Sequence, residues 1–319
     1  MSVETLFLQQ MHGRKPRQLY DPIEYILMQP GKRVRPRMVL LGAELFGTPP
    51  EKVLPIAAAF EMLHNFTLIH DDIMDNAPLR RGKETVFKKW NSNIAILSGD
   101  ALATMALEQI LQTELPAKNK LEIVTLFART SIEICEGQQY DLNFETKEQV
   151  TIEEYMEMIR LKTAVMLAGC LKAGAIAANA PRSDREILYN IGISLGFAFQ
   201  LKDDLLDLYA DQQSLGKQIG MDIADHKKTY LLLRALQEAQ ANDRDKLLQL
   251  FAPENSLSLE EKLPQIIEIY RKCHVRDKTE VAIENCLNEA LSLIETLSCP
   301  ENKKNSLREI ATLFRDREK

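Results

Sequence analysis

The residues best suited to chemistry form two copies of one acidic pattern, Asp-Asp-x-x-Asp, at positions 71–75 and 203–207. On an α-helix, residues four positions apart share a face, so the first and last aspartates of each copy project together. Paired carboxylates repel each other unless a cation lies between them. Two such pairs that face each other across a cavity would bind hard cations such as Mg²⁺ through oxygen ligands.

The sequence before each motif argues against a solvated acidic surface. An apolar segment at 66–69 leads into the first motif, and residues 196–199 (Gly-Phe-Ala-Phe) lead into the second. Carboxylates that end apolar helices line an interior more often than a surface. We therefore expect both motifs at the mouth of a cavity.

Basic residues accompany both motifs and also form a third cluster near the N-terminus. Arg80 and Arg81 follow the first motif, and Lys217 and Lys227 follow the second. The run 31–37 (Gly-Lys-Arg-Val-Arg-Pro-Arg) lies between a Pro-Gly turn and an apolar helix, where guanidinium groups and backbone N–H groups can bind an anion. Carboxylates that bind Mg²⁺, together with separate Arg and Lys clusters, are the groups that a diphosphate site requires. Their number suggests more than one diphosphate.

Composition limits the class of protein and its partners. The 319 residues are 45% hydrophobic and 27% charged, with a net charge of −6, which speaks against nucleic acid as a partner. Five scattered cysteines without a Cys-x-x-Cys pair favour free thiols in a reducing cytoplasm. The N-terminus lacks a secretory pattern, and no run of ~18 apolar residues occurs, so we expect a cytoplasmic protein without stable membrane insertion.

Helical periodicity runs through the chain and strand signals are nearly absent. Pro and Gly breaks separate segments long enough for long helices. Pro50 suits the first turn of a helix that runs toward Asp75, and Thr151 with Glu154 forms a capping-box pattern. The sequence therefore predicts an all-α protein, a single large helical-bundle domain over residues 1–319, with a deep central cavity.

These motifs together resemble the trans-isoprenyl diphosphate synthases of the polyprenyl synthetase family over essentially the whole chain. The segments that carry the resemblance are Gly31–Pro36, Glu61–His64, His70–Asp75, Leu79–Gly82, Gly137 with Gln138 and Asp141, Lys162 with Thr163, Phe199 with Gln200, and Gly216–Lys227. One departure is Pro30, which stands where the family usually has a glycine. A turn is compatible with either residue.

The resemblance implies a role for each site residue. About three Mg²⁺ ions would hold the diphosphate of an allylic substrate. The implied metal-binding residues are Asp71, Asp75 and Asp203, assisted by Asp72, Asp204 and Asp207. The implied ligands of the allylic diphosphate are Arg80, Lys162, Lys217 and Lys227, with Thr163 and Gln200 near the allylic carbon. The implied ligands of isopentenyl diphosphate are Lys32, Arg35, His64 and Arg81.

Three alternatives remain beside a prenyltransferase. His70 next to Asp71 is also typical of His-Asp phosphohydrolases, but such a site needs further histidine ligands and the chain has five histidines in all. A noncatalytic partner subunit should have lost aspartates or cations that are intact here. A terpene cyclase usually replaces the second motif by an Asn/Ser/Glu-type metal site, unlike Asp203–Asp207.

Product length depends on what blocks the growing chain. Phe66 lies five residues before Asp71, about 7.5 Å lower along a helix, beside the smaller Thr67. In the family, an aromatic residue there without an insertion in the first motif resembles the geranylgeranyl (C20) type, with farnesyl (C15) as the next choice. If Phe66 is ordinary core, the floor of the cavity that blocks the growing chain lies deeper, and the product is C30 to C40.

The resemblance also implies a homodimer. The segments 53–60 and 93–107 are apolar on more than one face, as an interface between two copies would require.

Overall fold

The computed structural model describes residues 2–209, 219–252 and 254–316. In these ranges almost all regular structure is helical, which confirms the all-α prediction. The α-helices are α1 (Val3–Met11), α2 (Arg17–Leu27), α3 (Val34–Glu44), α4 (Pro50–Met74), α5 (Val86–Lys89), α6 (Ser92–Leu111), α7 (Ala117–Thr146), α8 (Ile152–Ile159), α9 (Val165–Ala177), α10 (Arg182–Tyr209), α11 (Met221–Ala224), α12 (Tyr230–Glu238), α13 (Ala241–Leu250), α14 (Leu259–Lys272), α15 (Val275–Glu295) and α16 (Glu301–Arg315). A π-helix, Arg160–Ala164, joins α8 to α9.

A two-stranded hairpin, β1 (Leu79–Arg80) and β2 (Lys83–Glu84), follows α4 and is the only sheet in the described ranges. Its two turn residues, Arg81 and Gly82, have positive φ values of 53° and 75°. Positive φ at both central residues defines the type I′ turn, which matches the twist of antiparallel strands. The sequence did not predict this hairpin, because arginine is an unusual first residue for such a turn.

Several helix ends follow the predicted local chemistry. Pro50 occupies the first turn of α4, where its missing N–H has no intrahelical acceptor. Thr151 and Glu154 cap each other at the start of α8, which confirms the predicted capping box. Local sequence therefore sets the limits of the helices that carry or adjoin the acidic motifs.

The chain divides into two compact units. The first contains Met1–Ser131, Met166–Tyr189 and Ser298–Lys304. Its core is α4, which packs against α3 and α6. The helices α3 and α9 cross at two glycines: a Cβ added to Gly42 would lie 2.2 Å from the Leu171 carbonyl oxygen, and one on Gly174 would lie 2.1 Å from the Val39 oxygen. This backbone contact fixes the second half of α3 against α9.

The second unit contains Ile132–Val165, Asn190–Leu297 and Asn305–Lys319. Within it, α12, α14 and α15 pack against one another, and α12 also contacts α8. The second acidic motif lies in the last two turns of α10, which ends at Tyr209. The single-domain organisation and the central cavity stay predictions.

Among the residues that the structure describes, two helices are apolar and long enough to cross a membrane by length and composition alone. In α4, 67% of the apolar window is buried inside the protein, and in α6 the share is 44%. Core helices of soluble proteins commonly meet the same criterion. The smaller buried share of α6 means that part of its apolar surface is exposed.

Candidate active site

The first acidic motif ends helix α4. Asp71 lies in the last turn and is partly exposed, and Asp75, the C-cap residue, is exposed. The Asp75 N–H donates to the Asp71 carbonyl oxygen at 2.8 Å. The C-terminus of a helix carries partial negative charge, so carboxylates placed there repel the helix dipole as well as each other. A bound cation removes both repulsions.

The middle aspartate of this motif has a different environment. Asp72 is 1% exposed. Its Oδ1 accepts a hydrogen bond from Arg80 Nε at 2.8 Å and forms an ion pair with Nη2 of the same group, also at 2.8 Å. Burial raises the pKa of the Asp72 carboxyl, while Arg80 acts in the opposite direction. Its other oxygen, Oδ2, is buried without a hydrogen-bond partner. Asp72 thus holds Arg80 in place. Its assistance in metal binding stays a prediction.

The hairpin places Arg81 over the start of the basic run. Its Nη1 donates to the Pro30 carbonyl oxygen at 3.0 Å, and a Cβ on Gly31 would lie 3.0 Å from the same nitrogen. Burial, followed by the neighbouring arginines, lowers the pKa of Arg81. The hydroxyl of Tyr25 anchors the hairpin by donating to the Glu84 carbonyl oxygen at 2.9 Å. A glycine at position 31 therefore leaves room for this guanidinium group, whereas the turn itself tolerates Pro30.

His64 lies on α4 among these cations. Burial lowers the pKa of its imidazole well below the usual value, and the charges of Arg35, Arg81 and Arg80 lower it further. Both effects favour the neutral form of the ring. A neutral imidazole among guanidinium groups marks a region with an excess of positive charge, which suits an anion such as a diphosphate.

The remaining predicted residues of the first unit lie nearby along the chain. Lys32 is exposed and Arg35 is half-buried, at the start of α3. Phe66 and Thr67 are partly exposed residues of α4. The Phe66 ring packs edge-on against His70 with 4.8 Å between ring centroids, and the Thr67 hydroxyl donates to the His64 carbonyl oxygen within the same helix. The structure thus brings Arg35, Arg80 and Arg81 around His64.

His70, which precedes the motif, packs against α6. Its Nε2 lies 3.3 Å from the Ile96 carbonyl oxygen. A Cβ on Gly99 would lie only 2.4 Å from the same nitrogen, so glycine is needed at that position. His70 therefore fixes α4 against α6, as a packing residue should.

The second acidic motif also contains a buried middle aspartate. Asp204 is 3% exposed and accepts hydrogen bonds from the Tyr155 hydroxyl, from Gln200 Nε2 at 3.1 Å and from the Tyr230 backbone N–H at 3.2 Å. Burial raises the pKa of the Asp204 carboxyl, and the hydrogen bonds act in the opposite direction. Asp203 is partly exposed beside it.

A chain of hydrogen bonds links this aspartate to Thr163. The Thr163 hydroxyl donates to Gln200 Oε1 at 3.0 Å, and Gln200 Nε2 donates to Asp204. An ionised carboxylate can only accept, so Asp204 fixes which end of the Gln200 amide faces Thr163. The two residues predicted near the allylic carbon are therefore in contact and have defined orientations.

The π-helix positions Lys162 and Thr163. A Cβ on Gly137 of α7 would lie 2.3 Å from the Lys162 backbone nitrogen, and one on Gly196 of α10 would lie 2.4 Å from Ala164 Cα. The π-helix thus requires glycines on both neighbouring helices. Single π turns within longer helices occur frequently at functional sites. The Lys162 ammonium forms an ion pair with Asp141.

The end of α10 connects to the short helix α11. Asp207 Oδ2 accepts from the Asp222 backbone N–H at 3.2 Å, and burial raises the pKa of both carboxyls. The Lys227 ammonium lies 3.8 Å from Asp222 Oδ1 and is the cation nearest to this pair in the described contacts. Lys217 lies outside the described residues.

In the described ranges no three His, Cys, Asp or Glu side chains converge on one point as a ready-made metal site. Mg²⁺ seldom uses such an all-protein cage. It usually keeps several waters and binds one or two carboxylates together with substrate phosphates. Exposed Asp75 and partly exposed Asp71 and Asp203, at helix C-termini, fit that mode of binding.

Comparison with known proteins decides the family. The family model of polyprenyl synthetases matches residues 16–270. This chain belongs to the polyprenyl synthetase family. A short chain isoprenyl diphosphate synthase of Methanothermobacter thermautotrophicus is 38% identical over 295 residues, which are 88% of this chain and 89% of that protein. A geranylfarnesyl diphosphate synthase of Natronomonas pharaonis is 40% identical over 243 residues, 71% of each chain.

Solved structures support the same conclusion. The crystal structure of a geranylgeranyl pyrophosphate synthetase from Pyrococcus horikoshii Ot3 superposes with a TM-score of 0.92 and 34% identity, covering 99% of this chain and 95% of that chain. The prediction of a trans-prenyltransferase with the isoprenoid synthase fold is confirmed.

Sequence reasoning missed several residues of this polyprenyl synthetase site. The sequence did not identify Tyr155 as a site residue, because a tyrosine on an apolar helix face is typical of a hydrophobic core. Arg33 and Glu61 were noted within motifs but received no role, although they form a buried ion pair. Gly137 and Gly196 could have indicated a close helix approach, since glycine is costly inside a helix unless packing requires it.

Proposed function

We propose that this enzyme condenses an allylic diphosphate with isopentenyl diphosphate to give a longer trans-polyprenyl diphosphate, with geranylgeranyl diphosphate (C20) as the main product. The observation that carries the proposal is the cluster of guanidinium groups around a neutral His64, beside carboxylates that end an apolar helix. Such a site suits a substrate that is strongly anionic at one end and apolar along the rest.

The isopentenyl diphosphate would bind to Lys32, Arg35, His64 and Arg81. A neutral His64 can donate one hydrogen bond to a phosphate oxygen. When the diphosphate binds, its charge opposes the effect of the arginines and raises the pKa of the imidazole, so His64 can also take up a proton. Arg81 is held for this task by the hairpin and by the Pro30 carbonyl oxygen.

The allylic diphosphate would bind to Mg²⁺ ions held by carboxylates and to cationic side chains beside them. The carboxylates that would hold Mg²⁺ are Asp71, Asp75 and Asp203, and the cations are Arg80, Lys162, Lys217 and Lys227. When bound, Mg²⁺ supplies positive charge to the departing diphosphate. Support comes from the donor set, which is all oxygen and lies at helix C-termini, where a cation is favoured.

The reaction then needs no side-chain nucleophile. The C–O bond of the allylic diphosphate breaks, and its electrons leave with the diphosphate. The isopentenyl double bond supplies electrons for the new C–C bond. A proton then passes from the condensed product to the released diphosphate, and the electrons of that C–H bond form the new double bond. Lys162 and Arg80 stabilise the leaving negative charge, while the fixed oxygens of Thr163 and Gln200 stabilise the cationic allyl group.

Product length is assigned to Phe66. The ring is held against His70, and His70 is held against α6, so Phe66 lacks room to swing aside on that flank. The relatives that carry the names geranylgeranyl and geranylfarnesyl diphosphate synthase support a product near C20.

We also propose a cytoplasmic homodimer. Three large apolar residues of α6 are well exposed: Ile96 (43%), Leu97 (59%) and Leu111 (57%). Because successive helical residues are about 100° apart around the axis, these three fall on one side of the helix. Exposed apolar side chains on one helix face are typical of a protein interface. A second copy of the chain would cover it. Light scattering at micromolar concentration that gives a dimer mass supports this assignment, and a monomer mass contradicts it.

The test of function is a product assay. The purified chain is incubated with Mg²⁺, isopentenyl diphosphate and, in parallel, dimethylallyl, geranyl or farnesyl diphosphate, and products are identified by mass spectrometry. We expect C20 diphosphate from each primer and none with EDTA. A cyclic hydrocarbon, or no product from any primer, would reject the proposal. A C30 to C40 product would support the proposed reaction but would show that Phe66 does not limit the product length.

A further inference from the structure

The guanidinium group of Arg33, in the basic run, is engaged in contacts within the protein. It donates to Glu4 Oε1 at 3.0 Å and Glu61 Oε1 at 2.7 Å, and to the carbonyl oxygens of Leu27 at 2.6 Å and Gln29 at 3.1 Å. A guanidinium group has five N–H donors, so four are engaged within the protein. Arg33 therefore serves the fold of this loop rather than a substrate phosphate.

The backbone conformation of Arg33 depends on these guanidinium contacts. Its φ of 47° lies in the left-handed region, and the residue is the N-cap of α3. A non-glycine residue keeps such a conformation only when its surroundings impose it. The guanidinium contacts impose it here, and they thereby set the path of the chain through the adjacent Lys32 and Arg35.

Glu61 carries this constraint to α4. It is 3% exposed and lies three residues before His64, one turn away on the same helix. A buried carboxylate is tolerated only when it is paired, and Arg33 pairs it. Burial and the neighbouring arginines lower the pKa of Arg81, and the negative charge of Glu61 acts in the opposite direction.

Glu4 connects the N-terminal helix α1 to the same group. α1 buries Val3, Phe7 and Met11, and the Phe7 ring lies below the Arg33 guanidinium with 5.9 Å from Cζ to the ring centroid. The Glu4 side chain is 39% exposed, so loss of its charge leaves no buried unpaired group. Helix α1 is thus attached, through Arg33, to the loop and to α4.

We infer that Glu4, Arg33 and Glu61 are positioning residues that set the affinity for isopentenyl diphosphate, with helix α1 as the outer support. The inference rests on the proposed function, in which Lys32, Arg35, His64 and Arg81 bind that substrate. It assigns α1 a role in substrate affinity although α1 supplies none of those four ligands.

The test compares KM values for the two substrates in Glu4→Gln and Glu61→Gln, with Glu51→Gln as the control. Glu51 is an exposed residue in the first turn of α4, on the same helix as Glu61. We expect the KM for isopentenyl diphosphate to rise about 10-fold in Glu61→Gln and about 2- to 3-fold in Glu4→Gln. The KM for the allylic diphosphate and the kcat should change less than about 2-fold in both. Glu51→Gln should match the wild type.

The outcomes separate the inference from the proposed function. Equal rises in both KM values, or an unchanged KM for isopentenyl diphosphate in both folded variants, would overturn the inference. If Glu61→Gln does not fold, as judged by circular dichroism, the exposed Glu4→Gln decides alone. A wild-type protein that elongates no primer would instead reject the proposed function.

Discussion

The crossing of α3 and α9 gives the sharpest structural prediction, through Gly174→Ala. The added Cβ would lie 2.1 Å from the Val39 carbonyl oxygen and 2.8 Å from the Ala43 backbone nitrogen. Both are backbone atoms and cannot rotate away. Reaching even a 3.0 Å contact requires a shift of 3.0 − 2.1 = 0.9 Å between the helices.

Forced shifts of this kind in a packed core cost about 1–3 kcal/mol, occasionally more, and we expect the upper end because no side chain can yield. Urea unfolding should therefore show a loss of about 3 kcal/mol. If α3 moves as a rigid helix, its first turn with Arg35 moves by the same distance. We therefore expect kcat/KM for isopentenyl diphosphate to fall about 10- to 100-fold, because misplacement by ~1 Å can cost that much.

Gly169→Ala is the matched control, on the same helix α9. Its Cβ would meet side-chain atoms only, Thr130 Oγ1 at 3.0 Å and Phe60 Cε1 at 3.2 Å. These neighbours can yield by a few tenths of an ångström, so the loss should be about 1 kcal/mol. Unfolding free energies within about 0.5 kcal/mol of the wild type in Gly174→Ala would refute the proposed close crossing.

Three further predictions concern the site. Asp71→Ala should lower the rate of elongation about 100-fold at saturating substrate, because one electrostatic group is worth about 3 kcal/mol; a rate near the wild type in steady-state assays would contradict its role. Phe66→Ala should lengthen the products by one or more five-carbon units in mass spectra, and an unchanged distribution would assign the floor to other residues. Tyr155→Phe removes a donor to buried Asp204 and should lower the unfolding free energy by about 1.5–3 kcal/mol at pH 8. Because burial raises the pKa of Asp204 to about 6, the carboxyl is protonated at pH 5 and the loss should shrink there; an equal loss at both pH values in urea unfolding would disprove this linkage.

Sequence patterns predicted the helical class and several helix ends well, for a physical reason. Caps and prolines act within a few residues, as at Pro50 and at Thr151 with Glu154, and they form locally whatever the rest of the chain does. The positions of the two acidic motifs at helix ends also followed from the breaks after them. Such features are readable because cause and effect are adjacent in the chain.

The parts that the sequence did not predict depend on contacts between distant residues. The π-helix at 160–164 exists because glycines of α7 and α10 make room for it, 23 or more residues away. The Arg81 side chain, which projects from the type I′ turn, is held by the carbonyl group at position 30. Likewise, the middle aspartates Asp72 and Asp204 look like their neighbours in sequence, and only the folded chain distinguishes them as buried partners of Arg80 and Tyr155.

In the proposed function, the two acidic motifs serve cleavage of an allylic diphosphate coupled to C–C bond formation. The most direct measurement is the ratio of diphosphate released to isopentenyl units incorporated, with Mg²⁺ and farnesyl diphosphate as primer. We expect one diphosphate per unit incorporated, a C20 product, and loss of both signals together in Asp203→Ala. Diphosphate release without an elongated product, or full elongation in Asp203→Ala, would contradict it.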